Sequence, residues 1–398
     1  MSKNIWIINE YAGTPYHGME FRHYYLGKEF VKLGYKVTVI SSSYSHLFKE
    51  LPEKNKENID GVDYIWLKMF NYGNSHNKKR VLKWFLFMIK CFFLPVIIKN
   101  KPDTIIVSPM APFPILPAWL ISKYFRSKLI YEVKDIWPLS LIELGGFNPK
   151  HPFIKLMSWF ENFALRKSDN IVSNLGNYGE HIKNLGINRD FEWISNGISL
   201  EELEELEFLD ENIKKQIPNN KFIVGYTGTI GVANAIDSFL DATKQINNDS
   251  ILFVVVGDGQ EKHRLKSIYK NNKNILFLES IPKKQIQSML TNFDVCFLGW
   301  KKERLYSFGT SANKIFDYMY SGKVILNSIN SGNNVVELAK CGLVVESENS
   351  KAIADGIIKL YNMTEIERKQ LGENGKKYVL ENFTYDKLAK KYEVLFNE

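Results

Sequence analysis

The stretch Gly309–Leu326, with the sequence GTSANKIFDYMYSGKVIL, carries side chains that could bind a ligand. It predicts a loop, a short helix that Ser311 caps and Gly322 ends, and a buried strand. Three polar residues of the helix lie three and four positions apart and therefore share one face: Asn313, Lys314 and Asp317. An amide, a cation and a carboxylate together suit a phosphorylated, hydroxyl-rich ligand. The structural alternative is an ordinary helix with an ion pair on its surface.

Two glycine-rich turns follow predicted strands in the second half of the chain. Gly228 and Thr229 belong to the segment GYTGTIG, and Gly257 belongs to VVVGDG. Glycine lets a ligand approach the backbone closely, and a following helix would present free N–H groups to a phosphate. The spacing is GxxGxxG and no acidic residue ends a strand about 20 residues later, so a nicotinamide dinucleotide is not indicated. A plain tight turn is the alternative at both places.

The first half has two candidate sites of its own. His17 and Gly18 end a turn after the first predicted strand, where an acceptor or a phosphate could bind, although a lone histidine is usually structural. Asp135 follows the strand that ends in Tyr131, and a charged residue in that position must face solvent or a ligand. We predict that Asp135 acts as an acid, a base or an orienting group. Capping of the helix that Pro138 opens is the alternative.

Several classes of chemistry are not indicated. The sequence lacks a Ser-His-Asp or Cys-His pattern, a nucleophile elbow, a P-loop lysine and an HExxH motif. No Asp-x-Asp follows a strand, so we expect no dedicated metal site. The three cysteines are far apart, and no signal peptide pattern is visible, which favours a reducing compartment.

Strand–helix alternation occurs twice along the 398 residues. Short, continuous apolar runs predict strands that are buried on both faces of a parallel sheet. The fold class is therefore α/β, with two doubly wound, Rossmann-like domains facing a central cleft. We place the first domain at residues 1–200, the second at 201–380, and a C-terminal helix at 381–398 that could pack back on the first domain.

The charge is uneven. Residues 1–200 carry a formal charge of +9 and residues 201–398 carry −1. The first half should therefore face an anionic partner, which could be membrane lipid or a diphosphate-bearing acceptor; no nucleic-acid-binding signature appears. The segment Lys78–Lys101 is basic and aromatic but too short to span a bilayer. It is either a core helix or a helix on an anionic membrane, with Lys78, Lys79, Arg80 and Lys83 at the headgroups and Trp84, Phe85, Phe87 and Phe92 in the interface.

These segments, in this order, resemble the retaining family-4 glycosyltransferases of the GT-B fold, over essentially the whole chain. The segments at Lys134–Pro138 and Gly309–Met319 look most like those of bacterial O-antigen and capsule enzymes that handle N-acetylated aminosugars or their deoxy relatives. The resemblance implies that Asp317 binds the nucleotide ribose. It also implies that Lys314 and the Gly228 loop neutralise the donor diphosphate, and that Gly18 approaches the same phosphates.

The chain departs from this family at three positions. Asp135 lies near the place where relatives often have a histidine. Gly309 stands where the family has its first glutamate, so a sugar-binding carboxylate is missing there; Glu337 is no substitute by position but could reach the cleft. A basic pair after the Gly228 loop is also absent, and Lys301, Lys302 or Arg304 could compensate.

The resemblance implies transfer of a sugar from a UDP-sugar to a lipid-linked or glycan acceptor with retention of configuration. The implied acceptor is polyprenyl-diphosphate-linked, and the implied pathway is surface polysaccharide biosynthesis. No cofactor or metal is implied, and the expected location is the cytoplasmic face of the plasma membrane. An epimerase or hydrolase of the same fold and a non-catalytic assembly partner are the alternatives.

Overall fold

A computed structural model describes residues 2–18, 20–73, 77–310 and 312–398. The chain divides into two compact units. Unit 1 comprises residues 1–195 and 385–398, and unit 2 comprises residues 196–384. The sequence-based bounds at 200 and 380 differ from these by five and four residues. The predicted helix cap Ser311 lies outside the described residues.

Unit 1 is built on an eight-stranded sheet with the order β3-β4-β2-β1-β5-β6-β7-β8. Its strands are β1 (Asn4–Ile8), β2 (Lys36–Ser42), β3 (Lys56–Ile59), β4 (Val62–Leu67), β5 (Thr104–Val107), β6 (Lys128–Val133), β7 (Asn170–Ser173) and β8 (Glu192–Trp193). All neighbours pair in parallel except β3 and β4. Between β1 and β5 the direction of winding reverses. In a doubly wound sheet this reversal opens a ligand crevice at the carboxyl ends of the strands.

The helices of unit 1 lie on both sides of this sheet. They are α1 (Arg22–Lys32), α2 (Lys79–Cys91), α3 (Leu94–Ile97), α4 (Ile115–Phe125), α5 (Leu139–Glu143), α6 (Pro152–Lys167) and α7 (Tyr178–Asn184). The C-terminal helix, Tyr385–Asn397, packs on α1 through Tyr25, which stacks on Tyr385 with ring centroids 4.9 Å apart, and through Phe30, 5.1 Å from Phe396. It therefore belongs to unit 1, although it follows unit 2 in the chain.

Unit 2 holds a six-stranded, wholly parallel sheet. Its strands are β9 (Phe222–Thr227), β10 (Ile251–Val256), β11 (Ile275–Leu278), β12 (Val295–Gly299), β13 (Val324–Ser328) and β14 (Gly342–Val345), in the order β11-β10-β9-β12-β13-β14. Every residue of β10 is buried, as expected for a strand covered by helices on both faces. The winding reverses between β9 and β12, and the Gly228 turn follows β9 at that reversal.

The helices of unit 2, with the C-terminal helix, complete the chain. They are α8 (Leu200–Glu204), α9 (Glu211–Lys214), α10 (Ile236–Asp241), α11 (Lys262–Ile268), α12 (Ile286–Leu290), α13 (Arg304–Ser307), α14 (Asn313–Tyr320), α15 (Val335–Leu338), α16 (Ser350–Asn362), α17 (Glu365–Asn382) and α18 (Tyr385–Asn397). Short 3₁₀ turns cover Val232–Asn234, Ala242–Gln245 and Lys283–Gln285. The acidic linker therefore forms two short helices, α8 and α9.

Candidate functional site

Helix α14 is fixed to the end of β9 by two of its polar side chains. The hydroxyl of Tyr318 accepts a hydrogen bond from the backbone N–H of Thr227 at 2.8 Å. One turn earlier, the ammonium of Lys314 donates to the hydroxyl of Tyr226 at 2.6 Å and lies 4.3 Å from the centre of its ring. These contacts hold the Asn313–Asp317 face of α14 beside the Gly228 turn, at the reversal of the sheet.

Lys314 occupies the space that Gly228 leaves by having no side chain. A β-carbon on Gly228 would lie 2.9 Å from the Lys314 Nζ, and the glycine has a φ of +131°. Among the described residues the ammonium has no carboxylate partner; its second acceptor is the side-chain oxygen of Asn234 at 3.3 Å. Burial lowers the pKa of Lys314 to about 7. A cation in this position is poised to gain charge when an anion arrives.

The two glycine turns of unit 2 are packed against each other. The N–H of Gly228 donates to the carbonyl of Val256, and the N–H of Ile230 donates to the carbonyl of Asp258. A β-carbon on Gly257 would lie only 1.9 Å from the carbonyl oxygen of Gly228. Gly257 is therefore required by the neighbouring backbone. The N–H groups of Gly228 and Ile230 are already bonded within the protein, and Thr229 is exposed. The predicted phosphate contacts of this loop and of Lys314 stay predictions.

Asp317 is buried, and its two carboxylate oxygens already have a partner. The Lys283 ammonium, from the 3₁₀ turn before α12, lies 2.5 Å and 2.6 Å from them. The Lys283 side chain is about half exposed, whereas that of Asp317 is 11% exposed. The carboxylate is thus oriented by a solvent-facing lysine. Its further lone pairs can still accept hydrogen bonds from ligand hydroxyls.

The other predicted donor-site residues lie apart from this cluster. Asn313 is the exposed first residue of α14. Arg304 is exposed on α13 and Glu337 is exposed on α15. Neither residue shares a hydrogen bond or ion pair with Lys314 among the residues that the structure describes. Their ligand-binding roles stay predictions.

Both lysines that could compensate for the absent basic pair already form ion pairs. Lys301 is 2.7 Å from the Glu348 carboxylate, and Lys302 is 2.6 Å from that of Glu346. Lys314, which contacts the Gly228 turn itself, is the better-placed cation.

Gly309 is buried with a φ of +113°, a conformation that side chains other than glycine rarely adopt. The position that lacks the expected carboxylate therefore has a backbone conformation that favours glycine. Restoring a glutamate at this position would strain the chain.

In unit 1, the turn after β1 is held by its own packing. His17 is buried, bonded through Nδ1 to the Thr14 hydroxyl at 2.8 Å, and its ring lies 4.9 Å from that of Trp66. Gly18 has a φ of +124°, and a β-carbon there would lie 2.7 Å from the carbonyl oxygen of Leu47. Both residues thus have structural roles in the turn. The proposed contacts of His17 and Gly18 with substrate stay predictions.

Asp135 is the exposed residue of the turn at the carboxyl end of β6, in which Ile136 is buried. Its neighbour Lys134 forms an ion pair with Glu20, which has a φ of +78° and also accepts a hydrogen bond from Asn9. Surrounding protein raises the pKa of Asp135 by desolvation, and Lys134 partly offsets this, although the side chain remains exposed. The turn is therefore anchored by Lys134, and Asp135 is free to face a ligand.

A buried ionic network lies at the end of β6, the strand that leads into that turn. Glu132, on β6, accepts hydrogen bonds from Arg22 at 2.8 Å and from Tyr392 of α18, and lies 2.7 Å from His23. Arg22 also donates to the carbonyls of Ile194 and Ser195. Burial alone would raise the pKa of Glu132, but Arg22 and His23 outweigh it and hold the pKa well below its usual range. The network joins α1, β6 and α18.

Sequence reasoning missed several members of these clusters. For Tyr226 the sequence offered one signal, because a buried tyrosine at the end of a strand must find a partner for its hydroxyl. No sequence signal indicated the contact of Lys283 with Asp317, since the two residues lie 34 positions apart. The Glu20–Lys134 ion pair spans 114 residues and could not be predicted either.

Two family models match the chain. The description "Glycosyltransferase Family 4" covers residues 16–202, and "Glycosyl transferases group 1" covers residues 208–378. Their junction falls close to the division between the two structural units.

Three curated relatives match parts of the chain. The uncharacterized glycosyltransferase MJ1069 of Methanocaldococcus jannaschii is 27% identical over 61% of this chain and 65% of its own length. The putative colanic acid biosynthesis glycosyl transferase WcaI of Escherichia coli is 23% identical over 52% and 53%. The capsular polysaccharide biosynthesis glycosyltransferase CapM of Staphylococcus aureus is 26% identical over 51% and 53%. The chain thus matches between about half and two thirds of these relatives' lengths.

Solved structures agree over the whole chain. Sucrose-phosphate synthase from Thermosynechococcus elongatus aligns with a TM-score of 0.75 at 15% identity, over 99% of this chain and 98% of that one. Anabaena HepE in complex with UDP-glucose aligns with a TM-score of 0.68 at 14% identity, over 99% and 100%. At such identities the likeness shows the fold, which is GT-B. Taken together, the two family models, the relatives and the fold identify the chain as a family-4-like glycosyltransferase of the GT-B fold.

Proposed function

We propose that this protein transfers a sugar from a UDP-sugar to a lipid-linked or glycan acceptor in bacterial surface polysaccharide biosynthesis. The observation that carries the proposal is the unneutralised Lys314 ammonium at the Gly228 turn, with the Asp317 carboxylate one turn further along the same helix. A cation next to a carboxylate on one helix face can bind the diphosphate and the ribose of a single nucleotide. The binding of UDP-glucose by HepE, which shares the fold, supports a UDP-sugar donor.

The proposed chemistry is transfer with retention. The bond from the anomeric carbon to the diphosphate oxygen breaks, and a bond from the same carbon to the acceptor oxygen forms on the same face. The acceptor proton passes to the departing phosphate, and Lys314 stabilises the negative charge that develops there. Asp135, at the carboxyl end of β6, would orient the acceptor or the sugar. We expect transfer without added metal ions.

The names of the relatives support the proposed pathway. WcaI is described as acting in colanic acid synthesis and CapM in capsule synthesis. An N-acetylated aminosugar or a deoxy relative is our proposed donor sugar, and a polyprenyl-diphosphate-linked glycan at the cytoplasmic face of the membrane is our proposed acceptor.

The transfer test uses the purified protein with a panel of UDP-sugars and a lipid-linked acceptor. We expect one donor to yield a product whose anomeric configuration, determined by NMR, matches that of the donor. An inverted product would contradict retention. An epimerised sugar or free UDP formed without acceptor would favour an epimerase or hydrolase, and no turnover of any donor would favour a non-catalytic role.

The ribose assignment has its own test. The Asp317→Asn variant should bind UDP about tenfold more weakly, because the carboxylate makes charge-assisted hydrogen bonds to the ribose hydroxyls. The variant should bind 2′-deoxy-UDP with a much smaller loss, since one of those bonds is already missing. Calorimetry with both nucleotides measures the difference. Equal losses for UDP and 2′-deoxy-UDP would remove Asp317 from the 2′-hydroxyl, and unchanged UDP binding would remove it from the site.

A further inference from the structure

Three helices of unit 1 form a continuous layer within that unit. α2 packs against α4, and α4 packs against α6. Aromatic rings beneath the helices join them: the ring of Trp84 lies 6.5 Å from that of Phe153, and the ring of Trp119 lies 5.4 Å from that of Phe163. Trp84 and Phe87, which the membrane alternative placed in the interface, are buried inside the unit, as the core-helix alternative expects, and so is Lys83.

The outer surface of this layer is apolar to an unusual degree. Large hydrophobic side chains from all three helices and from α3 are exposed: Leu82, Ile89, Phe92, Phe93, Val96, Leu120, Tyr124, Leu156 and Trp159. Val96 is 85% exposed and Tyr124 is 77% exposed. Single exposed apolar residues are ordinary, but a group gathered on adjacent helices indicates an interaction surface.

The same surface is basic, and residues 78–101, α4 and α6 carry no exposed carboxylate. Neither residues 78–101 nor α4 contain an acidic residue, and the one in α6, Glu161, is buried against His181. The basic residues at this face are half-exposed or exposed: Lys78, Lys79, Lys90, Lys99, Lys101, Lys123, Arg126, Lys155, Arg166 and Lys167. None of these ten forms an ion pair within the part of the chain that the structure describes.

We infer that the α2–α4–α6 layer is a docking face for an anionic phospholipid membrane. Exposed aromatic and aliphatic side chains can enter the headgroup region while the surrounding lysines and arginines meet lipid phosphates. The uniform sign of the charge favours a lipid surface over a second copy of the chain, because two such faces would repel each other. No described helix has the length and hydropathy of a membrane span, so the contact would be peripheral.

This inference deepens the proposed function. It rests on that function only for the reason why the protein would bind a membrane. A lipid-linked acceptor is confined to the membrane surface, so a docked enzyme searches in two dimensions for its substrate. Membrane binding itself is measurable without any transfer. Failure of one proposal can therefore be told from failure of the other.

The test is co-sedimentation of the full chain with vesicles of phosphatidylcholine, with and without phosphatidylglycerol. The wild type should bind the anionic vesicles more tightly, and high salt should weaken that binding. Replacing Lys78, Lys79 and Lys90 with serine should lower the binding to anionic vesicles by about fivefold per lysine. Replacing Phe93 and Val96 with serine should lower binding to both kinds of vesicle.

Matched control variants lie in unit 2. Phe208 is 93% exposed, and on α17 Lys376 is half-exposed and Lys377 is exposed. Serine at these three positions should leave vesicle binding at the wild-type level. Circular dichroism and thermal melting establish that each variant is folded.

Three outcomes would overturn the inference. The first is wild-type binding that is equal for neutral and anionic vesicles, and the second is a triple lysine variant that sediments like the wild type. The third is the absence of vesicle binding; if gel filtration then shows a dimer that the Phe93 and Val96 substitutions dissociate, the face is a protein interface. Transfer to a short, water-soluble acceptor should be unchanged in all these variants.

Discussion

At the scale of single residues, Lys314 is a buried lysine that is only partly protonated near neutral pH. Its pKa of about 7 results from burial without a carboxylate partner. A bound diphosphate would supply the missing negative charge and raise that pKa. Nucleotide binding should therefore be coupled to proton uptake on this side chain.

The pH dependence follows from that shift. Above pH 7 the free lysine is mostly neutral, so each further unit of pH should weaken UDP binding by up to tenfold until the pKa of the bound state is reached. Lys314→Met should weaken binding at pH 6.5 by about tenfold or more, because a charge-assisted contact is lost, and should flatten the dependence above pH 7. Calorimetry in two buffers with different ionisation enthalpies measures the proton uptake.

The control for this prediction is Lys323→Met. Lys323 is a lysine of the same unit that donates to the carbonyl of Thr291. This variant should bind UDP like the wild type at every pH. If Lys314→Met kept the wild-type pH dependence, another group would be responsible for it.

The residue scale also shows what the amino-acid sequence could indicate about the site. The helical spacing of Lys314 and Asp317 predicted a shared face, and the structure has both on α14. The ion pair between Asp317 and Lys283 was not predictable, because local spacing carries no information about a partner 34 residues away.

At the scale of elements, the two glycine turns of unit 2 are structurally coupled. The turn after β9 donates hydrogen bonds to Val256 and Asp258, at the end of β10 and in the turn that follows it, and Gly257 lies so close to Gly228 that no side chain would fit between them. A substitution in either turn should therefore shift both turns. Because Lys314 contacts Gly228, such a substitution should also displace the Lys314 side chain.

Gly257→Ala tests this coupling. The added β-carbon would lie 1.9 Å from a backbone oxygen, and φ is +144°. We expect a loss of about 2–4 kcal/mol in the free energy of unfolding, measured by urea denaturation, together with weaker UDP binding. Gly322→Ala is the matched control: it also has positive φ, at +68°, but its nearest neighbour is at 3.6 Å, so about 1 kcal/mol is expected. Equal losses for the two variants would contradict the steric argument.

Elements differed in how well they could be predicted. β10 was predicted with its observed bounds because six consecutive apolar residues bury both faces of a strand. β3, with the sequence KENI, was missed because it is a mostly exposed edge strand that only its antiparallel pairing with β4 defines. β8 has two residues and offers no periodicity at all.

At the scale of the whole molecule, the last helix of the chain packs into unit 1 and completes its core. α18 buries Leu388, Tyr392, Leu395 and Phe396. Through Tyr392 it also takes part in the Arg22–Glu132 network. Unit 1 therefore depends on residues that are synthesised after unit 2.

Truncation after Thr384 tests that dependence. Removing these four side chains and that of Tyr385, which is also buried, should destabilise unit 1 by several kcal/mol, since each is worth about 1.5–3 kcal/mol. Hydrogen exchange should then show lost protection in α1 and β6, while β9, β10 and β12 keep theirs. Tyr392→Phe removes only the hydroxyl and should cost about 1–2 kcal/mol. Equal loss of protection in both units after truncation would contradict this assignment of α18.

The sequence by itself determined the architecture and the polar face of α14. Both are local properties: continuous apolar runs fix buried strands, glycines end helices, and a spacing of three or four residues fixes which side chains share a helix face. The same holds for the basic character of the first half, which is a matter of composition.

The tertiary structure alone decided which of these features work together. It buried Lys83 and Trp84, assigned Lys301 and Lys302 to Glu348 and Glu346, and left Lys314 without a carboxylate partner at the Gly228 turn. It also brought α2, α4 and α6 into one basic, apolar face. The physical reason is that burial and charge pairing depend on contacts between residues distant in the chain, which no local pattern of side chains encodes.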